Sequence, residues 1–301
     1  MRRRAIIGMS LAVVLLGTAA TSQGREDLLL RPIAPDYAAR WLTPQAPVRV
    51  YGNAWLIGFG GLSVGLIKTD AGLILIDGAL PQSVGALEAN IRTLGFDPKQ
   101  IRYILSTEPH YDHASGIAAL ARDSGATVIA SVPAAKALRQ GHSDGDDPQA
   151  AILESYPGVA NVRGVRDGES IRLGGTVVTA RATPGHTFGS MSWTWTSCEG
   201  RRCLNMVFAS SLNPVSADDW RFSDPAHRPL LTAFRHSFDV VRRLPCDVLL
   251  TAHPDQSGGD VKYTQIQRRP LPNPYIDPGA CRAYADKHAG LLAARLAKEA
   301  K

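Results

Sequence analysis

The sequence predicts an α/β fold in which helices cover the faces of β-sheets. Short β-branched strand patterns alternate with helical patterns between residues 72 and 131, which is typical of βαβ units. Glycine-punctuated strand patterns precede this region at 48–72, and further strand patterns follow it at 176–197. A second helical stretch at 229–244 leads into an apolar strand at 246–252. The two halves therefore share one order, in which strands come first and alternating helices and strands follow.

The first 22 residues predict a secretory signal peptide, and residues 23–301 predict the folded domain. Three arginines precede an apolar run at 5–16, which ends in small residues. The apolar run is too short to span a bilayer, although a helix that stays attached as an anchor is the alternative. We expect export to the periplasm without a stable membrane anchor.

The charge of the chain does not favour a nucleic-acid partner. Its formal net charge of +6 falls to +3 once the three arginines of the signal segment are removed. The remaining lysines and arginines are scattered along the chain and form no basic stripe. We therefore expect no nucleic-acid partner.

Four cysteines in a chain that looks exported predict two disulfides, for which the sequence alone permits three pairings. Cys198 and Cys203 flank a short polar turn between two strand patterns, so we pair them across a hairpin. Cys246 and Cys281 then join the sheet to the C-terminal helix. Free thiols are the alternative, and the spacing does not favour metal binding by cysteine.

Two further segments give local predictions. Asp277 and Pro278 suit the N-cap and first turn of the C-terminal helix. Residues 141–148 are polar and rich in turn formers, which predicts a solvated loop. A metal site built from His142 and the neighbouring aspartates of that loop is the less favoured interpretation.

Four apolar strand patterns each end in a residue that suits a metal site. Asp77 ends one, the segment from Glu108 to His113 follows the second, and His186 and His253 follow the other two. Ligands gather where the strands of α/β sheets end, so these four points can converge.

The spacing of these residues predicts two metal ions. In an extended segment Glu108, His110 and Asp112 point the same way, whereas the neighbours Asp112 and His113 point apart. Catalytic zinc takes three protein ligands and a water. Imidazole and carboxylate ligands favour zinc, with iron and manganese as alternatives. The six candidates divide into one triad of Glu108, His110 and His186 and a second of Asp112, His113 and His253.

Several of these motifs together resemble a known family. The segments 76–79 (IDGA), 110–116 (HYDHASG), 183–190 (TPGHTFGS) and 249–254 (LLTAHP) resemble the metallo-β-lactamase superfamily. Longer blocks are similar to subclass B3 of that family, at 58–83, 146–149 (DDPQ), 159–169, 211–222 and 245–254. The resemblance spans about Pro47 to Tyr284. It implies an αββα sandwich and zinc-dependent hydrolysis of the β-lactam amide, in which a metal-bound hydroxide attacks the carbonyl.

The resemblance also assigns roles to single residues. It implies that Glu108 replaces a histidine at the first zinc, which makes that site the weaker one, and that Asp77 supports the metal-binding loop. Ser211 stands where related subclasses have a ligating cysteine, and with Asn213 it is our candidate for binding the substrate carboxylate. Asp112 is our candidate for orienting the attacking water. An exposed Glu108 that does not bind metal is the alternative.

Two other functions compete with β-lactam hydrolysis. One is a hydrolase of the same fold that acts on thioesters, lactones or phosphodiesters. The serine pair at 210–211, where such relatives carry an aspartate, argues against it. The other is a periplasmic zinc-binding protein with little turnover.

Overall fold

The structure is a computed structural model that describes residues 26–301, so the predicted signal peptide at 1–22 lies outside the described residues. Its strands are β1 (Val48–Tyr51), β2 (Ala54–Leu56), β3 (Gly65–Thr69), β4 (Gly72–Ile76), β5 (Ile101–Leu105), β6 (Thr127–Ser131), β7 (Val162–Val165), β8 (Ser170–Leu173), β9 (Thr176–Ala182), β10 (Met191–Glu199), β11 (Arg202–Ala209) and β12 (Val248–Thr251). Its α-helices are α1 (Pro35–Ala38), α2 (Val84–Thr93), α3 (Tyr111–Ala114), α4 (Ile117–Ser124), α5 (Val132–Gln140), α6 (Arg228–Arg243), α7 (Gly259–Arg268) and α8 (Ala280–Glu299).

The strands form two mixed sheets. The first sheet has seven strands in the order β1 to β7, antiparallel up to β4 and parallel from β4 to β7. The second sheet has five strands in the order β12, β11, β10, β9, β8, and only its β11–β12 pair is parallel. Parallel pairs place several strand ends at the same edge of the molecule.

Three apolar cores join these sheets and helices into four layers. Side chains such as Ile74, Trp193 and Phe208 fill the core between the two sheets. The outer face of the first sheet packs on α2, α4 and α5, and the outer face of the second sheet packs on α6 and α8. Burial of apolar surface on both faces of each sheet stabilises this order of layers. The predicted αββα sandwich is confirmed.

The disulfides pair as predicted. Cys198 and Cys203 face each other in the β10–β11 hairpin, and Cys246 before β12 bonds to Cys281 in α8. The second bond fixes the C-terminal helix against the second sheet.

The predicted start of the C-terminal helix is wrong by two positions. Gly279 is the N-cap of α8, and the Asp277 carboxylate instead accepts a hydrogen bond from the Gly279 N–H. The side chain of Asp277 therefore stabilises the turn that precedes the helix and does not cap the helix itself. No helix within residues 26–301 is both long enough and apolar enough to cross a membrane.

Candidate metal centre

The six predicted ligands lie at one edge of the sandwich, where strands of both sheets end. Glu108 and its neighbours follow β5, and His253 follows β12. His186 follows β9 across a short turn. The ligand atoms of each predicted triad lie within 4.8 Å of one another. The structure therefore brings together all six residues that the sequence singled out.

Asp77 anchors the start of the ligand-bearing loop. Its Oδ1 accepts a hydrogen bond from the Thr107 N–H and its Oδ2 accepts one from the Thr107 hydroxyl, both at 2.7 Å. Burial raises the pKa of the Asp77 carboxyl well above its ordinary value. His113 Nδ1 lies 3.8 Å from Asp77 Oδ2, beyond hydrogen-bond distance. Asp77 thus holds the loop through Thr107.

The same loop packs tightly against the turn that follows β4. The Gly78 N–H donates to the carbonyl of His113, and the Gly116 N–H donates to the carbonyl of Ala79, both at 2.9 Å. A Cβ atom on Gly116 would collide with the carbonyl oxygen of Gly78. Glycine at 116 therefore permits this close approach. The ligand-bearing loop is held at its start by the Asp77–Thr107 contact and at its end by the Gly116–Ala79 contact.

The predicted directions of Asp112 and His113 are wrong. Residues Tyr111–Ala114 form the helical turn α3, and the extended conformation assumed for this segment ends at His110. In the helical turn the two neighbours converge, and His113 Nε2 lies 3.3 Å from Asp112 Oδ2. Both side chains can therefore serve one ion.

The second triad has the spacing of ligands around one small ion. His253 Nε2 lies 3.1 Å from His113 Nε2 and 3.2 Å from Asp112 Oδ2. Ligands at about 2.0–2.1 Å from a tetrahedral ion are separated from each other by about 3.3 Å. The three donor atoms therefore fit a tetrahedral metal ion.

Backbone carbonyls orient two of the histidines. His253 Nδ1 lies 3.0 Å from the carbonyl of Gly61, and His186 Nδ1 lies 2.8 Å from the carbonyl of Asn213. A carbonyl only accepts, so each Nδ1 carries the proton and each Nε2 is left as the electron-pair donor. Both histidines thus present Nε2 to the metal centre.

Glu108 is fully buried in the first triad. Its Oε2 accepts a hydrogen bond of 2.8 Å from the Ser211 N–H. Its Oε1 has no hydrogen-bond partner in the described part of the chain and lies 3.5 Å from His186 Nε2 and 3.3 Å from His113 Nε2. The alternative of an exposed Glu108 is wrong, because the side chain has 0% exposure.

The carboxylates of both triads stay ionised. Burial would raise the pKa of Glu108, but His113, His186 and His110 hold that pKa below its ordinary value. Burial would also raise the pKa of Asp112, but His113 and His253 together hold that pKa far below its ordinary value. Two buried anions among histidines form a site for cations.

The interpretation of 141–148 as a solvated loop missed the burial of Asp147. Asp147 is 5% exposed, and its Oδ2 lies 2.8 Å from His110 Nε2. Burial would lower the pKa of His110, but the Asp147 carboxylate is the main cause that raises it to about 9. The block DDPQ was a signal for this residue, but its polar composition suggested exposure.

A cleft of about 660 Å³ opens above the two triads. Trp41, Tyr111 and Ile152 supply apolar walls, and Asn213 lies on the lining. Ser211 is fully buried and contacts Glu108 through its backbone, so of the two predicted substrate contacts Asn213 is the one that lines the cleft. The cleft is large enough for a small-molecule ligand.

Comparison with known proteins identifies one family and several similar structures. Residues 57–253 match the model of the metallo-β-lactamase superfamily. A B3 metallo-β-lactamase described as the first with an active-site glutamic acid is 51% identical, with a TM-score of 0.86, covering 92% of this chain and 100% of that chain. MEM-A1, a subclass B3 enzyme from a soil metagenome library, is 42% identical, with a TM-score of 0.83 and coverages of 86% and 98%. BJP-1, the subclass B3 enzyme of Bradyrhizobium japonicum, is 32% identical, with a TM-score of 0.79 and coverages of 87% and 98%.

Proposed function

The chain belongs to the metallo-β-lactamase superfamily, and from this membership we propose that it is a subclass B3 β-lactamase that hydrolyses the β-lactam amide bond with two zinc ions. One observation carries the proposal. Two triads of ionisable ligands, almost all of them buried, lie side by side beneath a single cleft, joined by the 3.3 Å separation between Glu108 Oε1 and His113 Nε2. A similar enzyme with an active-site glutamic acid supports the same assignment.

Zinc is the metal that fits the donors best. Glu108, His110 and His186 would hold the first ion, and Asp112, His113 and His253 the second. Neutral imidazoles with one carboxylate per site are typical zinc ligands, and the 3.1–3.3 Å spacing of the second triad suits a tetrahedral zinc ion. When bound, zinc lowers the pKa of water towards neutrality and polarises a carbonyl oxygen. Metal analysis distinguishes zinc from iron and manganese.

Asp112 is the residue that would orient the attacking water. Its carboxylate is ionised, belongs to the second triad and also lines the cleft. Its Oδ2 faces His113 and His253, so the other oxygen can accept a hydrogen bond from water above the site. A fixed acceptor of this kind aligns the water for attack on the amide carbon.

The lining of the cleft supports binding of an anionic bicyclic amide. The side-chain amide of Asn213 can donate a hydrogen bond to the carboxylate that β-lactams carry beside the ring nitrogen. The backbone of Ser211 assists by holding Glu108 in place. Trp41 and Ile152 provide apolar contact for the remainder of the substrate and displace water from the site.

The proposal includes export to the periplasm. The signal-like segment at 1–22 supports it, and so do the two disulfides, because such bonds persist in oxidising compartments.

Hydrolysis of a chromogenic cephalosporin, with and without a chelator, tests the proposed function. We expect turnover that chelation abolishes and that added zinc restores, with two zinc ions per chain at saturation. Thioester turnover is measured in parallel. Cephalosporin hydrolysis that survives complete removal of metal, or efficient hydrolysis of the thioester alone, would contradict the proposal.

A further inference from the structure

Asp147 forms a buried pair with His110, and the steps above give Asp147 no role. Their side chains are 5% and 3% exposed, and Asp147 Oδ2 lies 2.8 Å from His110 Nε2. Asp147 Oδ1 accepts a hydrogen bond of 2.8 Å from the Gln149 N–H. Both oxygens of Asp147 are therefore engaged within the protein, so Asp147 is not a further metal ligand.

The pair decides which nitrogen of His110 can bind a metal. A carboxylate accepts hydrogen bonds and donates none, so His110 Nε2 carries the proton that points to Asp147. The electron pair of a neutral imidazole then lies on Nδ1. His186 differs, because its Nδ1 faces the carbonyl of Asn213 and its Nε2 is left for the metal. The first triad thus combines two histidines of opposite tautomer.

We propose that Asp147 is a positioning residue for the first metal site, which fixes the tautomer and ring orientation of His110. The inference rests on the proposed zinc-dependent function. Residues that orient a metal-binding histidine in other proteins change metal affinity by roughly 10–100-fold when they are replaced.

The loop that carries Asp147 is itself tied to the ligand segment. The Tyr156 hydroxyl donates a hydrogen bond of 2.7 Å to the carbonyl of Pro109, next to His110. The Tyr156 N–H donates to the carbonyl of Gly141 at 2.7 Å, which closes the base of the loop. Gly141 has a φ of 74°, a conformation that favours glycine. These contacts hold Asp147 at a fixed distance from His110.

Asp147→Asn is the sharpest variant, because it keeps the size of the side chain. An asparagine can keep its Oδ1 on the Gln149 N–H, and its amide nitrogen then faces His110 Nε2. That nitrogen is a donor, so His110 would have to accept at Nε2 and carry its proton on Nδ1. The same exchange in a serine protease triad leaves the geometry intact but selects the wrong histidine tautomer.

The experiment measures zinc affinity in the absence of substrate, by competition with a chromophoric chelator. We expect the dissociation constant of the weaker zinc to rise about 10–100-fold in Asp147→Asn, with the other zinc unchanged. Nitrogen NMR of histidine-labelled, zinc-loaded protein should give a metal-bound Nδ1 and a protonated Nε2 for His110 in the wild type. Asp144→Asn is the matched control, because it makes the same chemical change in the same loop and breaks only a surface ion pair with Lys136.

Two results would overturn the inference. One is an Asp147→Asn protein that binds both zinc ions as tightly as the wild type. The other is an equal loss at both sites with a lower melting temperature of the metal-free protein, which would show a purely structural role. Because no substrate is used, failure of the proposed β-lactam hydrolysis is recognised separately, in the wild-type assay.

Discussion

The Ser211 N–H donates a hydrogen bond of 2.8 Å to Glu108 Oε2 and leaves Glu108 Oε1 directed at the histidines of both triads. One oxygen of the carboxylate is therefore fixed by the backbone that follows β11, and the other is free to bind metal. This division explains how glutamate can stand where the resemblance leads one to expect histidine. A carboxylate oxygen binds zinc at about 2.0–2.2 Å, close to the distance for an imidazole nitrogen.

Replacement of Glu108 should empty the first metal site selectively. Glu108→Ala removes one of three ligands, so we expect it to hold one zinc ion per chain where the wild type holds two. Zinc analysis after dialysis against a weak chelator measures this number. A Glu108→Ala protein that held its first zinc as tightly as the wild type would show that Glu108 is not a ligand.

Glu108→His should still bind two zinc ions and be at least as active as the wild type. Imidazole is neutral, so the zinc keeps more of its positive charge and activates water more strongly than beside glutamate. In a plot of kcat against pH, we expect the rise on the acidic side to move to lower pH in this variant. A rise that moved to higher pH would contradict the electrostatic argument.

Loss of a second-site ligand should remove the other zinc ion and most of the activity. His253→Ala and Asp112→Ala each delete a donor atom that lies 3.1–3.3 Å from its neighbours in the triad. Replacing a residue that only orients a metal ligand lowers metal affinity or activity by up to about 100-fold. Loss of a ligand itself should cost more, so we expect kcat/KM to fall by at least about 100-fold. His142→Ala is the control, because this exposed histidine lies outside both triads. Wild-type zinc content and turnover in either variant would exclude that residue as a ligand.

The sequence predicted the clustering of the six candidate ligands, because each of them follows an apolar strand and strand ends are visible in local patterns. It did not predict the convergence of Asp112 and His113, because α3 is a four-residue turn whose helical conformation depends on packing against the turn after β4. The burial of Asp147 is also a tertiary effect. Its loop is mostly polar, and the aspartate is buried by tertiary contacts such as that of Asp147 with His110, in a loop that Tyr156 ties to Pro109.

The two disulfides should contribute unequally to stability. Cys246 and Cys281 are separated by 35 residues and Cys198 and Cys203 by 5, and chain entropy assigns about 4 and about 2 kcal/mol to loops of these lengths. We expect the Cys246→Ala/Cys281→Ala protein to lose more free energy of unfolding than the Cys198→Ala/Cys203→Ala protein. Urea unfolding at saturating zinc measures both losses. Equal losses, or a larger loss for the hairpin pair, would contradict the chain-entropy argument.

His288 should make the stability of the protein fall as the solution becomes acidic. The side chain is 1% exposed in α8, and its Nδ1 bonds to the carbonyl of Tyr284 at 2.8 Å. Burial, with a smaller effect from Lys287, lowers the pKa of His288 from 6.5 to about 4. Between these two values the unfolded chain takes up a proton that the folded protein does not, so the free energy of unfolding decreases as the pH falls.

The His288 contribution is complete above pH 6.5 and is lost as the pH falls towards 4. By linkage, about 1 kcal/mol of it should disappear between pH 7.5 and pH 5.5. His288→Gln keeps a neutral donor for the Tyr284 carbonyl and cannot titrate, so its stability should depend less on pH by that amount. Urea unfolding of both proteins at the two pH values, with zinc in excess, compares them under the same metal load. Identical pH dependence in the two proteins would mean that His288 is not buried in its neutral form.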